Sequence, residues 1–216
     1  MTDPVSDPSA ALDYALAYAR RGWRVVPVPP KAKHPSITAW QTEGSTDVER
    51  IKHWWGASSD FGIGIVTGAE SGLVVLDVDE HGHVRGSDTL ADLEATYERL
   101  PDTLEVLTGG GGRHLYFAHP GHEVRNDAGR RLGPGLDVRG DGGQVIAPPS
   151  MHASGQRYEF ELSSGWPDRV LVAPLPGWLD ELLSSSQAPA PTREVASNAA
   201  TGPVIAGPRT RAGTSC

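Results

Sequence analysis

Cysteine is nearly absent: the one thiol among 216 residues is Cys216, at the last position. That excludes an internal disulfide framework and any zinc site of the Cys-x-x-Cys type. Long apolar runs are missing too. Leu73 to Leu76 is typical of the longest, far short of the ~20 residues that a bilayer span requires. With no secretory-signal pattern either, the expected location is the cytoplasm, without a membrane partner. Positive charge is scarce: 19 Lys and Arg stand against 27 Asp and Glu, a net charge of −8. A protein that coats nucleic acid non-specifically needs the opposite balance, because such binding comes from cations that displace phosphate counterions. A local basic groove remains open, since residues 20–34 hold five Lys or Arg and no acid.

Glycine and proline are plentiful. Their 26 and 18 copies make up about a fifth of the chain, well above the ~12% of an average domain, which excludes a helix bundle or coiled coil and predicts many turns. Residues 184–216 contain no aromatic residue and only Val195, Val204 and Ile205 as large aliphatics. Such a stretch buries too little to offset its ordering entropy and reads as a disordered tail. The expected organisation is a flexible N-terminus over 1–7, one folded domain over 8–183 and the tail over 184–216.

The folded part reads as α+β. Asp7 as N-cap, Pro8 and Gly22 bracket a first helix, and a strand follows over 23–28. Residues 29–40 form a loop with three prolines. Thr46 and Glu49 make a capping box for a short second helix. Strands over 61–66 and 73–79 flank a glycine-containing turn, and Ser87 caps a third helix that Pro101 stops. Short strands over 104–108, 114–118, 136–139, 143–147 and 157–162 then follow, separated by Gly/Pro turns. A closing helix covers 178–183. The result is a helix-strand N-terminal half packed with a strand-rich, largely antiparallel C-terminal half.

The most informative segment is the apolar run ending in Asp77-Val78-Asp79. Side chains alternate along a strand, so Asp77 and Asp79 share a face. Two ionised carboxylates so placed repel, and a divalent cation or a shared proton resolves the conflict. The plain alternative is that both acids are solvated turn residues. Asp137, in Leu136-Asp137-Val138-Arg139, adds a third carboxylate from another strand, with Arg139 on the same face. Three such carboxylates suit two Mg²⁺ or Mn²⁺ ions, as in phosphoryl transfer. Asp141 competes for the third place, although its Asp-Gly-Gly setting suits a hairpin turn.

Gly109 to Gly112 join two strands and let backbone N–H groups approach an anion. Arg113 and His114 follow, placed to donate to phosphate oxygens; the plain alternative is a hairpin loop with a surface histidine. The segment lacks the Lys-Ser/Thr ending of a Walker A loop. Gly62-Ile63-Gly64 fails the dinucleotide fingerprint, whose third glycine would fall at Thr67. His81 and His83 read as a polar turn beside the aspartates, and His119 and His122 as loop residues. Lys31 and Lys33 read singly as a solvated basic face.

Taken in order, these segments resemble the N-terminal prim-pol domain of bifunctional DNA primase/polymerases, in the archaeo-eukaryotic primase superfamily. The resemblance runs from about residue 9 to 162. It is carried by Arg21-Gly22-Trp23-Arg24-Val25-Val26-Pro27, Lys33-x-Pro35, Trp40, Gly62-Ile63-Gly64-Ile65 and Thr67-Gly68. It continues through the strand to Asp79, the loop from Thr108 to Phe117, Asp137-Val138-Arg139-Gly140, Ala147-Pro148-Pro149-Ser150, Ser154-Gly155 and Tyr158. It implies the prim-pol fold and catalytic metal ligands at Asp77, Asp79 and Asp137. It also implies a triphosphate contact at His114, with Arg139 and Lys33 helping to neutralise the triphosphate. Ser150 lies in a family motif without a role that chemistry alone supplies.

The implied activity is two-metal addition of an NTP or dNTP to a primer 3′-hydroxyl on a DNA template, with pyrophosphate release. Family members often continue into a helical priming region and a helicase. The expectation here is therefore nucleotide addition, with a separate helicase or replication protein as partner. Two rivals stand beside it. A haloacid-dehalogenase-type phosphohydrolase also carries Asp-x-Asp after an apolar strand, but His81 stands where Thr or Val belongs. A replication-associated binding module without turnover is the other.

Overall fold

The computed structural model describes residues 9–161 and 171–185. The expected cap at Asp7 and Pro8 and the tail beyond Ser185 lie outside them. Helix α1 (Ser9–Arg20) ends as expected at Gly22, whose φ of +83° suits a residue without a Cβ. Strand β1 (Val25–Val28) follows. A four-residue helix α2 (Trp40–Glu43) interrupts what reads from sequence as loop, and α3 (Val48–Ala57) comes next. Asp47, not Thr46, caps α3: its carboxylate accepts the Arg50 N–H at 2.8 Å.

Strands β2 (Gly62–Val66) and β3 (Leu73–Val78) lead to a small hairpin, β4 (Glu80–His81) and β5 (Val84–Arg85), and then to α4 (Gly86–Thr96). Ser87 lies inside α4 and does not cap it; its N–H donates to Glu80 Oε1 instead. The helix starts two residues earlier, with Arg85 at the N-cap position and the Gly86 N–H donating to the Asp79 carbonyl. A Cβ on Gly86 would come within 2.3 Å of the Gly135 carbonyl oxygen, so only glycine fits there. The remaining elements are β6 (Leu104–Leu107), β7 (Arg113–Ala118), β8 (Asp127–Ala128), β9 (Leu136–Arg139), β10 (Gln144–Ala147), β11 (Glu159–Phe160), β12 (Ala173–Pro174) and α5 (Gly177–Ser184).

The architecture is mixed α+β with antiparallel sheets. One sheet has the order β1-β2-β10; the larger has the order β11-β6-β7-β3-β9-β8, with β12 parallel on β7. The two halves of the chain are therefore interleaved. β10, from the second half, completes the first sheet, and β3, from the first half, lies at the centre of the second. The strands expected on either side of the glycine-containing turn, β2 and β3, part into different sheets, and the turn residue Gly68 bridges to Leu73.

Both faces of the larger sheet are covered, which is why β3 is apolar without alternation. On one face Leu73 and Val75 pack with Tyr18 of α1, Ile51 and Trp55 of α3, and Ile63 and Ile65 of β2. On the other, Val74, Leu76 and Val78 meet Leu90 of α4 and Leu179 and Leu183 of α5. Asp77 continues the first face and interrupts its apolar surface with a carboxylate, next to the first sheet. Among the described residues no helix is long and apolar enough to cross a membrane.

Candidate active site between two sheets

Antiparallel pairing sets Asp77 of β3 directly opposite His114 of β7 on one side and Asp137 of β9 on the other. Residues that are opposed across neighbouring strands point to the same face. The sheet thus presents His114, Asp77 and Asp137 as one row, with Asp79 just past the end of β3. One carboxylate oxygen from each of Asp77, Asp79 and Asp137 lies within 4.8 Å of the others. Three half-buried hard oxygen donors from two strands fit Mg²⁺ or Mn²⁺ better than a softer metal. No other group of His, Cys, Asp or Glu among the described residues converges in this way.

Asp141 is engaged elsewhere. Its carboxylate accepts the Ala69 N–H at 2.9 Å and the Val124 N–H at 2.8 Å, and His119 Nε2 lies 3.2 Å away. Asp137, not Asp141, is the acid that lies with Asp77 and Asp79, and His119 serves the fold rather than solvent. His122 meets Asp180 of α5 at 2.9 Å.

Charges balance unevenly across the row. Burial opposes ionisation of Asp77, but the hydrogen bond and charge of His114 (Nε2–Oδ1 3.4 Å) and the Arg139 guanidinium (3.5 Å) outweigh it. Its carboxyl is held below the usual range. Asp137 is shifted the other way. Burial pushes its carboxyl up, and the charges of Asp77, Asp79 and Asp127 add to that, although Arg139 lies 2.9 Å away. The opposed shifts leave Asp77 favoured as a carboxylate and Asp137 as the acid whose charge burial and the neighbouring acids oppose.

His114 is buried. Its Nδ1 has no hydrogen-bond partner, so Nε2 is the ring atom in use. Tyr158 packs against the imidazole at 5.9 Å between ring centroids. Burial, then the charges of Asp77 and Asp79, push the Tyr158 phenol up to about 12, so it stays protonated.

The glycine segment is a tight turn that holds β7 in place. Thr108 Oγ1 accepts the Gly112 N–H, and the Gly111 N–H donates to the Thr108 carbonyl. A Cβ on Gly112 would come within 2.3 Å of the Val78 carbonyl oxygen, and one on Gly109 within 2.4 Å of the His152 Cβ. These glycines let the turn close against the end of β3 and against the 152–156 loop. Ser154 Oγ also donates to the Gly109 carbonyl.

A cavity of about 380 Å³ lies over the row. Asp77, Asp79, His114 and Arg139 form its floor, while Lys33, Trp40 and the β10 residues Gln144 to Ile146 form the opposing wall. Lys33 is held there by its own carbonyl, which accepts a hydrogen bond from Gln144 Nε2. Of the residues expected at the site, Asp77, Asp79, Asp137, His114, Arg139 and Lys33 are brought together. Arg113 is not. As the neighbour of His114 it faces the other side of the sheet, where Glu105 meets it at 3.4 Å.

Sequence reasoning gave no role to several cavity residues. Gln144 and His152 carry no local signal, whereas Trp40, Thr108 and Tyr158 stand in the motif series. Ser150 has a clear structural part. Its buried Oγ accepts the Ile63 N–H at 2.8 Å and donates to the Ala147 carbonyl at 2.6 Å, joining the loop after β10 to β2.

No curated protein matches the chain. The family model described as "Bifunctional DNA primase/polymerase, N-terminal" matches residues 15–178, from within α1 to the start of α5. The matched span contains the carboxylate cluster, the glycine turn and the cavity between the sheets, and the chain belongs to the prim-pol family.

Proposed function

We propose that this chain is a template-dependent nucleotidyltransferase that adds an NTP or dNTP to a primer 3′-hydroxyl, with residues 8–183 as its catalytic unit on a prim-pol fold. The observation that carries this reading is the cross-strand row of His114, Asp77 and Asp137, with Asp79 beside it, at a cavity lined by His114, Asp77, Asp79 and Arg139. In the reaction the primer O3′ forms a bond to the α-phosphorus, the bond from that phosphorus to the bridging oxygen breaks, and pyrophosphate leaves. The hydroxyl proton passes to water, since no side chain among the described residues is placed as a dedicated base.

Asp77, Asp79 and Asp137 would hold the divalent ions. When bound, Mg²⁺ or Mn²⁺ neutralises charge on the attacking and leaving oxygens. His114 and Arg139 place N–H donors beside the carboxylates, where they orient the triphosphate and offset its charge. Lys33 adds a cation from the opposing wall. Residues Gln144 to Ile146 of the first sheet line the same cavity.

Primer extension tests the reading. The wild-type protein with Mg²⁺ or Mn²⁺ should lengthen a labelled primer on a template, and Asp77→Ala and Asp79→Ala should abolish the product. Extension at the wild-type rate by either variant would overturn the metal assignment. Release of inorganic phosphate without template would indicate a hydrolase instead, and primer binding without incorporation a binding module.

A further inference from the structure

Most arginines near the sheets face a carboxylate. Arg24 pairs with Glu70, Arg85 with Glu80, Arg113 with Glu105 and Arg139 with Asp137. Arg130 and Arg131 differ: their backbone N–H groups are bonded, but neither side chain has an ion pair or hydrogen bond among the described residues. Their guanidinium groups place two adjacent positive charges in a chain of net charge −8, and the nearby Asp127 carboxylate is engaged by their backbone rather than their side chains.

The loop that carries them is built, not slack. Asp127 Oδ2 accepts the N–H groups of both Arg130 and Arg131, each at 3.0 Å. The Gly129 N–H donates to the Leu136 carbonyl, and Leu132 is buried in the core directly after Arg131. The loop joins β8 to β9, and Ala128 of β8 is the cross-strand partner of Asp137. The arginines therefore begin one strand beyond the third carboxylate.

The order of strands supplies a direction. From β7 through β3 and β9 to β8 the sheet presents His114, Asp77, Asp137 and then the arginine loop. At a strand spacing of ~4.8 Å, His114 and β8 are about 14 Å apart, the span of a few nucleotides. In-line displacement sets the attacking and leaving oxygens on opposite sides of the phosphorus. With the triphosphate toward His114 and the reacting axis laid along this row, the attacking strand comes from the β8 side. We propose that Arg130 and Arg131 hold backbone phosphates of the primer, the strand that carries the attacking 3′-hydroxyl. This rests on the nucleotidyl-transfer reading for its direction. Guanidinium groups suit the task, because their paired donors match phosphate oxygens.

The test measures binding of a fluorescent primer–template by the full chain in EDTA, so that neither metal nor turnover contributes. Arg130→Ala/Arg131→Ala should bind roughly tenfold more weakly at moderate salt. Its plot of log affinity against log salt should be less steep by about 1.5, as expected for two lost phosphate contacts. Neutral methylphosphonate linkages near the primer 3′ end should weaken the wild-type protein and leave the double variant unchanged. Arg130→Glu should weaken binding further, while its unfolding midpoint stays at the wild-type value. Unchanged affinity and slope in the double variant, or a methylphosphonate effect confined to the template strand, would overturn the inference. If the wild-type protein extends no primer while the arginine dependence of binding holds, the transfer reading fails and the strand contact stands.

Discussion

Asp77 and Asp137 are directly opposed across β3 and β9, and their carboxyl groups are shifted in opposite directions although both are half-buried and both face Arg139. Arg139 contacts both, at 3.5 Å and 2.9 Å. His114 approaches Asp77, and so Asp137 carries the unrelieved repulsion. An acid whose folded pKa is raised binds its proton more tightly when folded. At neutral pH the ionised Asp137 therefore costs stability, and that cost disappears as pH falls through the raised pKa.

Asp137→Asn should accordingly raise the melting temperature of the metal-free protein at neutral pH, by about 2 °C. It should also remove most of the stabilisation that Mn²⁺ gives the wild type. Thermal melts with and without Mn²⁺ check both parts. A variant destabilised in the absence of metal would show that Asp137 is structural.

Asp141 gives the opposite pH signature. Burial works against its charge, but the Ala69 and Val124 N–H groups and His119 outweigh that and hold its carboxyl below the usual range. Its contribution is present above the unfolded value of ~3.9 and is lost as pH falls through the lower folded value. Asp141→Asn should be less stable than wild type at neutral pH, with the difference shrinking toward zero in strong acid. Urea denaturation across pH measures this.

Ser150→Ala should cost about 1–3 kcal/mol, because the buried Ile63 N–H loses its acceptor. The site row contains no atom of Ser150, so primer extension at a permissive temperature should persist. A loss of turnover without a loss of stability would assign Ser150 a part in the chemistry.

Two neighbouring glycines should respond differently. Gly112→Ala drives a Cβ against the Val78 carbonyl, at the strand end that positions Asp77 and Asp79, and should reduce both stability and extension. Gly111→Ala meets no atom within 4 Å but requires a φ of +92°, and should cost only about 1 kcal/mol. Paired denaturation and extension measurements separate the two.

Much of the site was legible because β3 is buried on both faces. A continuous apolar run that ends on Asp77-Val78-Asp79 stands out, and the two-residue period fixes a common face. What the sequence could not convey was partnership. Hydrophobic pattern tells which face of a strand is buried, but not which strand lies beside it. Thus β2 and β3, which flank one turn, divide between sheets. Arg113 and His114 read as a pair, although the alternation that aims His114 at Asp77 turns Arg113 toward Glu105. At α3 two capping residues stood side by side, Thr46 and Asp47, and the carboxylate took the N–H. Gln144 and His152 reach the cavity through long-range packing that leaves no local mark.

The cavity floor comes from the larger sheet, while β10 and the loop bearing Lys33 and Trp40 form the facing wall. The two sides of the cavity thus rest on separate supports, and substitutions along Gln144 to Ile146 reshape one of them without moving a carboxylate.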